Sequence, residues 1–327
     1  YCLDNSCPNI LFLYRNKPSV IIGRAQNPWF ETNLKWLKEN DLDLVRRQSG
    51  GGTVYHDLGN LNYSFLALNT HYQVEQHLNI IIQALANLGR SCHANARHDL
   101  YINHQDNTNS NNINKKISGS AFRKAKDRSF HHATLLINSN IDHLTSSINS
   151  KLKIDNNIGV KSVRSTVANI NLDIKQVITE ISGKYNEAHA NIDIIKNINN
   201  NVINNNPQLK EAIKNTVNQL TSNNWLFEKT LSFDIPIYFS PQYDKDPNII
   251  CKVNHAKITL FQTKNNIKIK NDPHDTASII KYLNKYLIDH PIYLTINNKI
   301  VNSIIKQVPM RKYLINLCIK TLNNYHF

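Results

Sequence analysis

Three consecutive glycines, Gly50, Gly51 and Gly52, stand in the stretch RRQSGGGTVYHDLGN, although the whole chain contains only nine glycines. One glycine is enough for a hairpin turn, and each further one adds to the backbone entropy lost on folding. A run of three is useful where backbone N–H groups must approach an anion closely. The stretch matches neither a P-loop nor a dinucleotide fingerprint, because no Lys-Ser or Lys-Thr pair follows and a strand comes next instead of a helix. Spacing alone leaves anion binding and a plain turn equally open.

Two arginines, Arg46 and Arg47, lead into the glycines from the end of a predicted strand. The planar guanidinium carries donors that match phosphate or carboxylate oxygens, so this pair favours an anion site. A solvated pair on the surface is the alternative.

A second cluster of reactive side chains lies in KKISGSAFRKAKDRSFHHATLL, residues 115–136. Lys116 begins a short predicted strand, interrupted at Gly119, and small residues follow it that would let a ligand approach a buried charge. A basic loop is predicted next, and it contains Arg123, Lys124, Lys126 and Arg128. The adjacent histidines His131 and His132 would face opposite sides of a strand, so they are poorly placed to bind one metal ion together.

Composition sets broad limits on the function. A net charge of +14 favours nucleic acid, anionic lipid or an acidic protein as a partner, although a codon bias toward Lys, Asn and Ile would also produce it. The five cysteines are scattered, at Cys2, Cys7, Cys92, Cys251 and Cys318, which predicts a reduced, cytosol-like compartment without a disulfide framework. No apolar run approaches the roughly 18 residues of a membrane span, and no secretory signal is recognisable at the start.

The element pattern predicts an α+β protein. Strands are expected at 10–14, 19–22, 42–45, 53–55, 61–68, 99–103, 116–120 and 133–137, with helices at 33–40, at 74–88 before a capping Gly89, and from Pro207. After about residue 238, short strands (249–253, 257–261, 267–269) precede helices at 276–288 and 310–322. This change of texture predicts a small separate domain.

The two long stretches together closely resemble the lipoate–protein ligase A family. IIGRAQNPWFETN (residues 21–33), RHDL (97–100) and GVKSVRSTVANI (159–170) also resemble that family, in its order and at its spacing. The resemblance covers residues 10 to about 235 well and the remainder more loosely. Ala133 stands where the family usually has glycine. The family's N-terminal segment with paired glutamates is not in the sequence, so we expect that an N-terminal piece is missing.

The resemblance implies a mixed-sheet catalytic domain of the biotin/lipoate ligase type (residues 1–238) with a small α+β accessory domain (239–327). It also implies a two-step reaction that uses ATP, Mg²⁺ and lipoate. Lipoyl-adenylate and pyrophosphate form first, and an acceptor lysine then takes the lipoyl group. The expected acceptors are lipoyl domains of 2-oxoacid dehydrogenase E2 subunits and the glycine cleavage H protein.

Site residues carry over from the matching motifs. Lys116 is the expected catalytic residue, since its charge would stabilise the negative charge that develops during adenylation. Contacts to ATP and lipoyl-adenylate are expected from Arg47, Gly50, Gly51, Gly52, Thr53, Val54, Tyr55 and Lys116. Contacts to lipoate are expected from Lys116, Gly51 and His56. Supporting contacts are expected from Arg46, Asn60, Asp99, Ser118, Arg123 and His132. Mg²⁺ would be bound through the nucleotide. Asp99 would contact Mg²⁺ or a ribose hydroxyl, or only pair with Arg97.

Other functions stay open at this point. A lipoyl or octanoyl transferase would use a ready-made acyl donor, but neither motif contains a cysteine for a thioester, and Cys92 is interpreted as structural. A transferase that takes pre-formed lipoyl-adenylate would need the same pocket. A nucleic-acid binder is suggested only by the charge, and lysines spread along the whole chain argue against it. A ligase inactivated by loss of the N-terminal piece is the third alternative. We expect a cytoplasmic monomer that binds neither membrane nor nucleic acid.

Overall fold

The computed structural model describes residues 9–105, 112–150, 152, 158–189, 203–239, 247–263, 276–307 and 312–324. Cys2, Cys7 and the predicted strand at 267–269 lie outside these residues. In the part that is described, no helix is both long and apolar enough to cross a membrane.

Runs of strands and runs of helices follow one another along the chain. The strands are β1 (Asn9–Tyr14), β2 (Ser19–Ile22), β3 (Asp43–Arg46), β4 (Val54–His56), β5 (Asn60–Leu68), β6 (Cys92–Ala94), β7 (Leu100–Gln105), β8 (Asn112–Ser118), β9 (Ser120–Lys124), β10 (Arg128–Leu136), β11 (Phe233–Ile237), β12 (Ile249–Asn254) and β13 (Lys257–Gln262). The helices are α1 (Pro28–Glu31), α2 (Leu34–Glu39), α3 (Val74–Asn87), α4 (Ile141–Ser147), α5 (Ile174–Ala188), α6 (Pro207–Leu220), α7 (Asn223–Leu226), α8 (Thr276–Leu287), α9 (Asn298–Gln307) and α10 (Lys312–Asn323). The α+β class is confirmed.

The chain divides into two compact units. The first unit contains Tyr1–Arg24, Asp43–Thr145 and Ser162–Gln219, and the second contains Ala25–Leu42, Ser146–Lys161 and Leu220–Phe327. The second unit therefore includes the whole of the expected accessory region, 239–327, together with earlier segments. A domain boundary at residue 238 stays a prediction.

Among the described residues, the first unit contains three sheets. Four antiparallel strands lie in the order β1-β5-β10-β9, and β6-β7-β8 form an antiparallel sheet. The third sheet is mixed, because β2 pairs in parallel with β3 and antiparallel with β4. A core of buried apolar side chains, including Tyr63, Phe65 and Leu85, lies between the strands and the helices α3 and α5.

Two helix ends in the first unit show ordinary capping chemistry. Gly89, with φ of +73°, follows α3, as the sequence predicts. The sequence interpretation missed α5, although Asp173 begins it by accepting hydrogen bonds from the backbone N–H groups of Lys175 and Gln176. Its apolar positions Val177 and Ile181 are fully buried.

The second unit has its own core. The Trp29 side chain is fully buried, and its ring centroid lies 5.5 Å from those of both Phe227 and Phe233. The strands β11-β12-β13 form an antiparallel sheet, and the helices α8, α9 and α10 belong to the same unit. The predicted strands at 249–253 and 257–261 are confirmed, whereas α9 was missed.

One local prediction is wrong. The basic stretch after Gly119 is not a loop, because Arg123 and Lys124 belong to β9 and Arg128 begins β10. Cross-strand pairing with β10 holds these residues extended, a tertiary effect that outweighs their weak intrinsic preference for strands.

Candidate anion-binding active site

The loop between β3 and β4 carries the three glycines, and its shape depends on glycine at defined positions. Gly51 has φ of +88°, a conformation that other residues adopt only with strain. Gly23, just after β2, is equally restricted, because a Cβ atom there would lie 2.1 Å from the carbonyl oxygen of Gly51. Gly50 has no atom within 4 Å of its Cβ position. Sequence reasoning missed Gly23, although it lies in the quoted motif IIGRAQNPWFETN.

The Arg47 side chain holds the glycine loop through hydrogen bonds to its backbone carbonyl groups. Its Nη2 donates to the carbonyl oxygens of Gly50 (2.6 Å) and Gly52 (2.7 Å), and its Nη1 donates to Ile21 O at 3.1 Å. Burial lowers the pKa of Arg47 to about 10, and interaction with Tyr14 partly offsets this shift. The guanidinium thus fixes the loop through neutral acceptors, and its expected contact with phosphate stays a prediction.

Arg46 is the more deeply buried arginine of the pair. Its side chain is fully buried, and its Nη1 donates to Arg24 O at 2.9 Å and to Gly23 O at 3.5 Å. Burial lowers its pKa to about 10. It is therefore not a solvated surface residue, and it supports the chain between β2 and the glycine loop.

Lys116 lies in β8 and forms a close ion pair. Its Nζ is 2.8 Å from Oδ2 of Asp99, and the two side chains are 18% and 4% exposed. Arg97 Nη2 reaches the same oxygen at 3.3 Å, while Asp99 Oδ1 accepts from the backbone N–H of Ser120. A Cβ on Gly119 would lie 3.3 Å from Nζ, so glycine leaves room for the ammonium group.

The glycine loop and the lysine strand meet at the start of β9. A Cβ built on Gly51 would lie 3.5 Å from the Cβ of Ala121, the second residue of β9. The half-buried Arg123 side chain also reaches the glycine-loop segment, through a hydrogen bond from its Nη1 to Oε1 of Gln48. The two stretches that sequence analysis singled out are therefore neighbours in the fold.

A connecting segment, Ser162 to Ala168, joins both halves of the site. The backbone N–H of Thr53 donates to Ser162 Oγ at 2.9 Å. Further along, Lys116 N donates to Thr166 O at 2.9 Å, and Ala168 N donates to Lys116 O at 3.0 Å. Sequence reasoning did not select Ser162, because only its cross-chain contact reveals a role.

The adjacent histidines face opposite sides of β10, as predicted. His132 Nε2 is 2.6 Å from Ser49 Oγ in the glycine-loop segment, and burial together with nearby Arg47 lowers its pKa to about 4. His131 is fully buried, and its Nε2 is 3.0 Å from Ser120 Oγ. Because Ser120 donates its only hydroxyl proton to His98 O, His131 must donate through Nε2. His131 is the structural member of the pair.

The remaining expected site residues are mostly buried. Tyr55 and His56 follow the glycine loop in β4, and burial raises the pKa of Tyr55 to about 12 and lowers that of His56 to about 3. Ser118 Oγ is 3.1 Å from the hydroxyl of Tyr63. The Asn60 amide donates to Asn62 Oδ1 and belongs to the core beside the site.

Mg²⁺ finds little support from protein side chains. The described segments contain no group of three or more His, Cys, Asp or Glu residues suited to a metal. Asp99 already pairs with Lys116 and Arg97 and accepts from Ser120 N. The expected pairing of Asp99 with Arg97 is therefore present, and its contact with Mg²⁺ or a ribose hydroxyl stays a prediction.

Comparison with known proteins decides the family. The sequence model described as "Lipoyl protein ligase A/B catalytic domain" matches residues 2–182, more than half of the chain. The chain belongs to that family. The fold agrees with this family, because solved lipoate ligases share it. It is the biotin/lipoate ligase fold.

Two curated family members illustrate the similarity. The lipoate-protein ligase A of Bdellovibrio bacteriovorus is 37% identical over 229 residues, which cover 68% of this chain and 65% of that protein. The lipoate-protein ligase A of Psychrobacter cryohalolentis is 44% identical over 169 residues, 51% of this chain and 46% of that protein. The chain thus spans between about half and two thirds of the length of these relatives.

Two solved structures extend the comparison. The lipoate-bound crystal structure of LipL1 from P. falciparum has a TM-score of 0.55 at 25% identity, and the match covers 94% of this chain and 87% of that one. A bi-partite lipoate protein ligase from Thermoplasma acidophilum, studied with its E2 lipoyl domain, has a TM-score of 0.53 at 23% identity and covers 67% and 83%. The match with LipL1 extends over both units of this chain.

Proposed function

We propose that this chain is an ATP-dependent lipoate–protein ligase. In the first step the lipoate carboxylate attacks the α-phosphorus of ATP, giving lipoyl-adenylate and pyrophosphate. In the second step the ε-amine of an acceptor lysine attacks the acyl carbon, forms an amide and releases AMP. Membership of the family and relatives named lipoate-protein ligase A support this activity.

The observation that carries the proposal is the placement of Lys116. Lys116 belongs to β8, the strand that leads directly to β9, and Asp99 holds its ammonium group at 2.8 Å. The glycine loop comes close to the start of β9 at Ala121. A fixed positive charge at this place suits a reaction in which negative charge develops on phosphate and carboxylate oxygens. Asp99 orients the ammonium group, and Gly119 leaves space around it.

The glycine-loop residues would bind the two substrates. We assign the adenylate and triphosphate to Arg47 and to the loop from Gly50 through Val54, with Mg²⁺ carried by the phosphates. Tyr55 and His56 are buried directly after the loop, and both are uncharged at neutral pH, which suits the apolar lipoate chain. Closure of such a loop would also protect the adenylate from water.

The acceptors would be lipoyl domains of 2-oxoacid dehydrogenase E2 subunits and the glycine cleavage H protein. The Thermoplasma ligase, which shares the fold, was studied with its E2 lipoyl domain. The net charge of +14 would steer acidic acceptor domains toward this protein. A monomeric state and a cytoplasmic location remain predictions.

The cysteines argue against a thioester transferase. Burial raises the pKa of Cys92, which is half-buried at the start of β6, to about 11, so that thiol is a poor nucleophile at neutral pH. Cys251 and Cys318 are fully buried in the second unit, and burial raises their pKa values as well. Within the described residues, no thiol is prepared to hold an acyl group.

The deciding experiment measures pyrophosphate release from ATP and Mg²⁺, with and without lipoate. We expect lipoate-dependent release by the wild-type chain and a loss of at least about 100-fold in Lys116→Ala, the scale of removing one key electrostatic stabiliser. Lys115→Ala is the matched control, because it removes the neighbouring lysine of the same strand. It should stay near the wild-type rate.

Other outcomes would contradict the proposal. Acceptor modification from pre-formed lipoyl-adenylate, without pyrophosphate release from ATP, would make the protein a transferase. Equal losses in Lys115→Ala and Lys116→Ala would show that Lys116 has no special part in adenylation. Inactivity in both assays would contradict ligase function for this chain.

A further inference from the structure

The strand β9 lies at one edge of the four-stranded sheet, and its pairing shows which backbone groups it turns outward. At one end Thr134 N donates to Gly119 O at 3.1 Å, and at the other Ala125 N donates to Arg128 O at 2.7 Å. Backbone groups in an antiparallel strand alternate between its two neighbours. The backbone groups of the odd-numbered residues in this segment therefore bond to β10, and the backbone groups of the even-numbered residues point away from β10.

Three residues present their backbone N–H and C=O groups to the outer side of β9. Ser120 is the first, and its N–H donates to Asp99 Oδ1 at 3.1 Å, which agrees with the outward direction. Phe122 and Lys124 follow. No hydrogen bond from any described residue reaches the backbone groups of these two. They form an open edge, which we call the β9 edge, and such an edge can pair with an added strand.

The β9 edge is strongly basic. Between residues 123 and 128 there are four basic side chains, Arg123, Lys124, Lys126 and Arg128, against one acidic side chain, Asp127. Arg128 and Asp127 form an exposed ion pair with each other at 3.5 Å. Lys124 and Lys126 are exposed, and no described carboxylate pairs with either of them. The open edge thus selects a partner with acidic side chains.

The β9 edge begins close to Lys116, because the preceding Ser120 donates its N–H to Asp99, the partner of Lys116. Ser120 is four residues after Lys116, and Ala121 touches the glycine loop. Five strand residues span about 17 Å. A protein strand paired along this edge would therefore have one end beside the Lys116 ion pair and the other end at the basic turn.

We propose that the β9 edge is the docking surface for the protein acceptor, which adds a strand bearing acidic side chains to the sheet. This inference rests on the proposed ligase function and assigns a surface to its second step. Main-chain hydrogen bonds to Phe122 and Lys124 would set the register, and Lys124 and Lys126 would select acidic side chains. Register would matter because it places the acceptor lysine at the Lys116 end.

The test separates the two half-reactions. Lys124→Pro removes the outward N–H while leaving the bonds of β9 to β10 in place, and an edge strand tolerates proline at such a position. We expect lipoate-dependent pyrophosphate release to stay within about twofold of wild type. The KM for an apo lipoyl domain of an E2 subunit should rise at least about tenfold, the scale of one or two lost backbone hydrogen bonds.

A charge variant tests the other half of the inference without proline. Lys124→Glu combined with Lys126→Glu should raise the KM for the same lipoyl domain, and the increase should shrink at high salt, because screening weakens interactions between exposed charges. Lys124→Ala is the matched control for the proline variant. It removes one charge but keeps the backbone N–H, so its effect should be clearly smaller.

The outcomes are distinguishable. Loss of pyrophosphate release in the wild-type chain would defeat the proposed function and leave no second step to assign. Normal adenylation with an unchanged KM for the lipoyl domain in Lys124→Pro would overturn the docking surface. A second result would also overturn it. If the wild type sediments as a dimer and Lys124→Pro as a monomer, with the KM unchanged, the edge pairs with a second copy of this chain.

Discussion

Replacement of Gly23 by alanine tests whether close backbone contact sets the shape of the glycine loop. The added Cβ would lie 2.1 Å from the carbonyl oxygen of Gly51, whereas ordinary contacts are 3.4–4 Å. The loop must therefore move by about 1 Å or more, since a backbone carbonyl cannot rotate aside as a side-chain end can. A displacement of this size in a site that positions reacting atoms costs on the order of 100-fold in rate.

The assay is lipoate-dependent pyrophosphate release, with thermal unfolding measured on the same samples. Gly23→Ala should lose about 100-fold in kcat/KM while unfolding cooperatively, with a destabilisation of about 1–3 kcal/mol from overpacking. Gly183→Ala is the matched control, because Gly183 lies in α5 outside the site and nothing lies within 4 Å of its Cβ position. Wild-type turnover in Gly23→Ala, or an equal loss in Gly183→Ala, would refute this account of the loop.

Two further predictions concern stability. Burial lowers the pKa of His77 to about 4, and its ring stacks on Phe65 at 4.4 Å. The unfolded chain therefore binds the proton more tightly, so the free energy of unfolding should fall as the pH drops from about 6.5 toward 4. In urea unfolding between pH 7 and pH 5, His77→Phe should lose about 2 kcal/mol less of this free energy than the wild type. An equal loss in both proteins would contradict this. Asp289, after α8, has φ of +65° and places a carboxylate at a helix C-terminus. Asp289→Gly should raise stability by about 0.5–1 kcal/mol in thermal melts, and Asp289→Asn by less, whereas a lowered melting temperature would argue against strain there.

Much of the fold follows from local pattern. Alternating or periodic apolar residues predicted β5, α3 and α8 with ends within a few residues of those observed. β9 was missed, because its basic residues lack the β-branched and aromatic character typical of strands and only pairing with β10 makes them extended. Local pattern is informative where an element buries its own apolar face, and it fails where a neighbour determines the conformation.

The candidate site divides in the same way. Residue type and motif selected Lys116, Asp99 and the glycine run, and the fold brings the two motifs together at β9. Gly23 and Ser162 were missed because each acts through an atom distant in sequence, the Gly51 carbonyl in one case and the Thr53 N–H in the other. The orientation of Arg47 toward the loop carbonyls was equally invisible, because residue type specifies the donors but not their acceptors.

The Ser162–Ala168 segment determines when, during synthesis of the chain, the site can assemble. The contact between Thr53 and Ser162 joins positions 109 residues apart, and the bonds of Lys116 to Thr166 and Ala168 come from the same late segment. A growing chain that has passed the glycine loop and the lysine strand therefore still lacks the bonds that hold them. Contacts of such long range form slowly, because the loop-closure entropy must be overcome first. The polypeptide acquires its reactive centre only after residue 168 has been synthesised, so a nascent chain that ends earlier contains both motifs without the arrangement that they need.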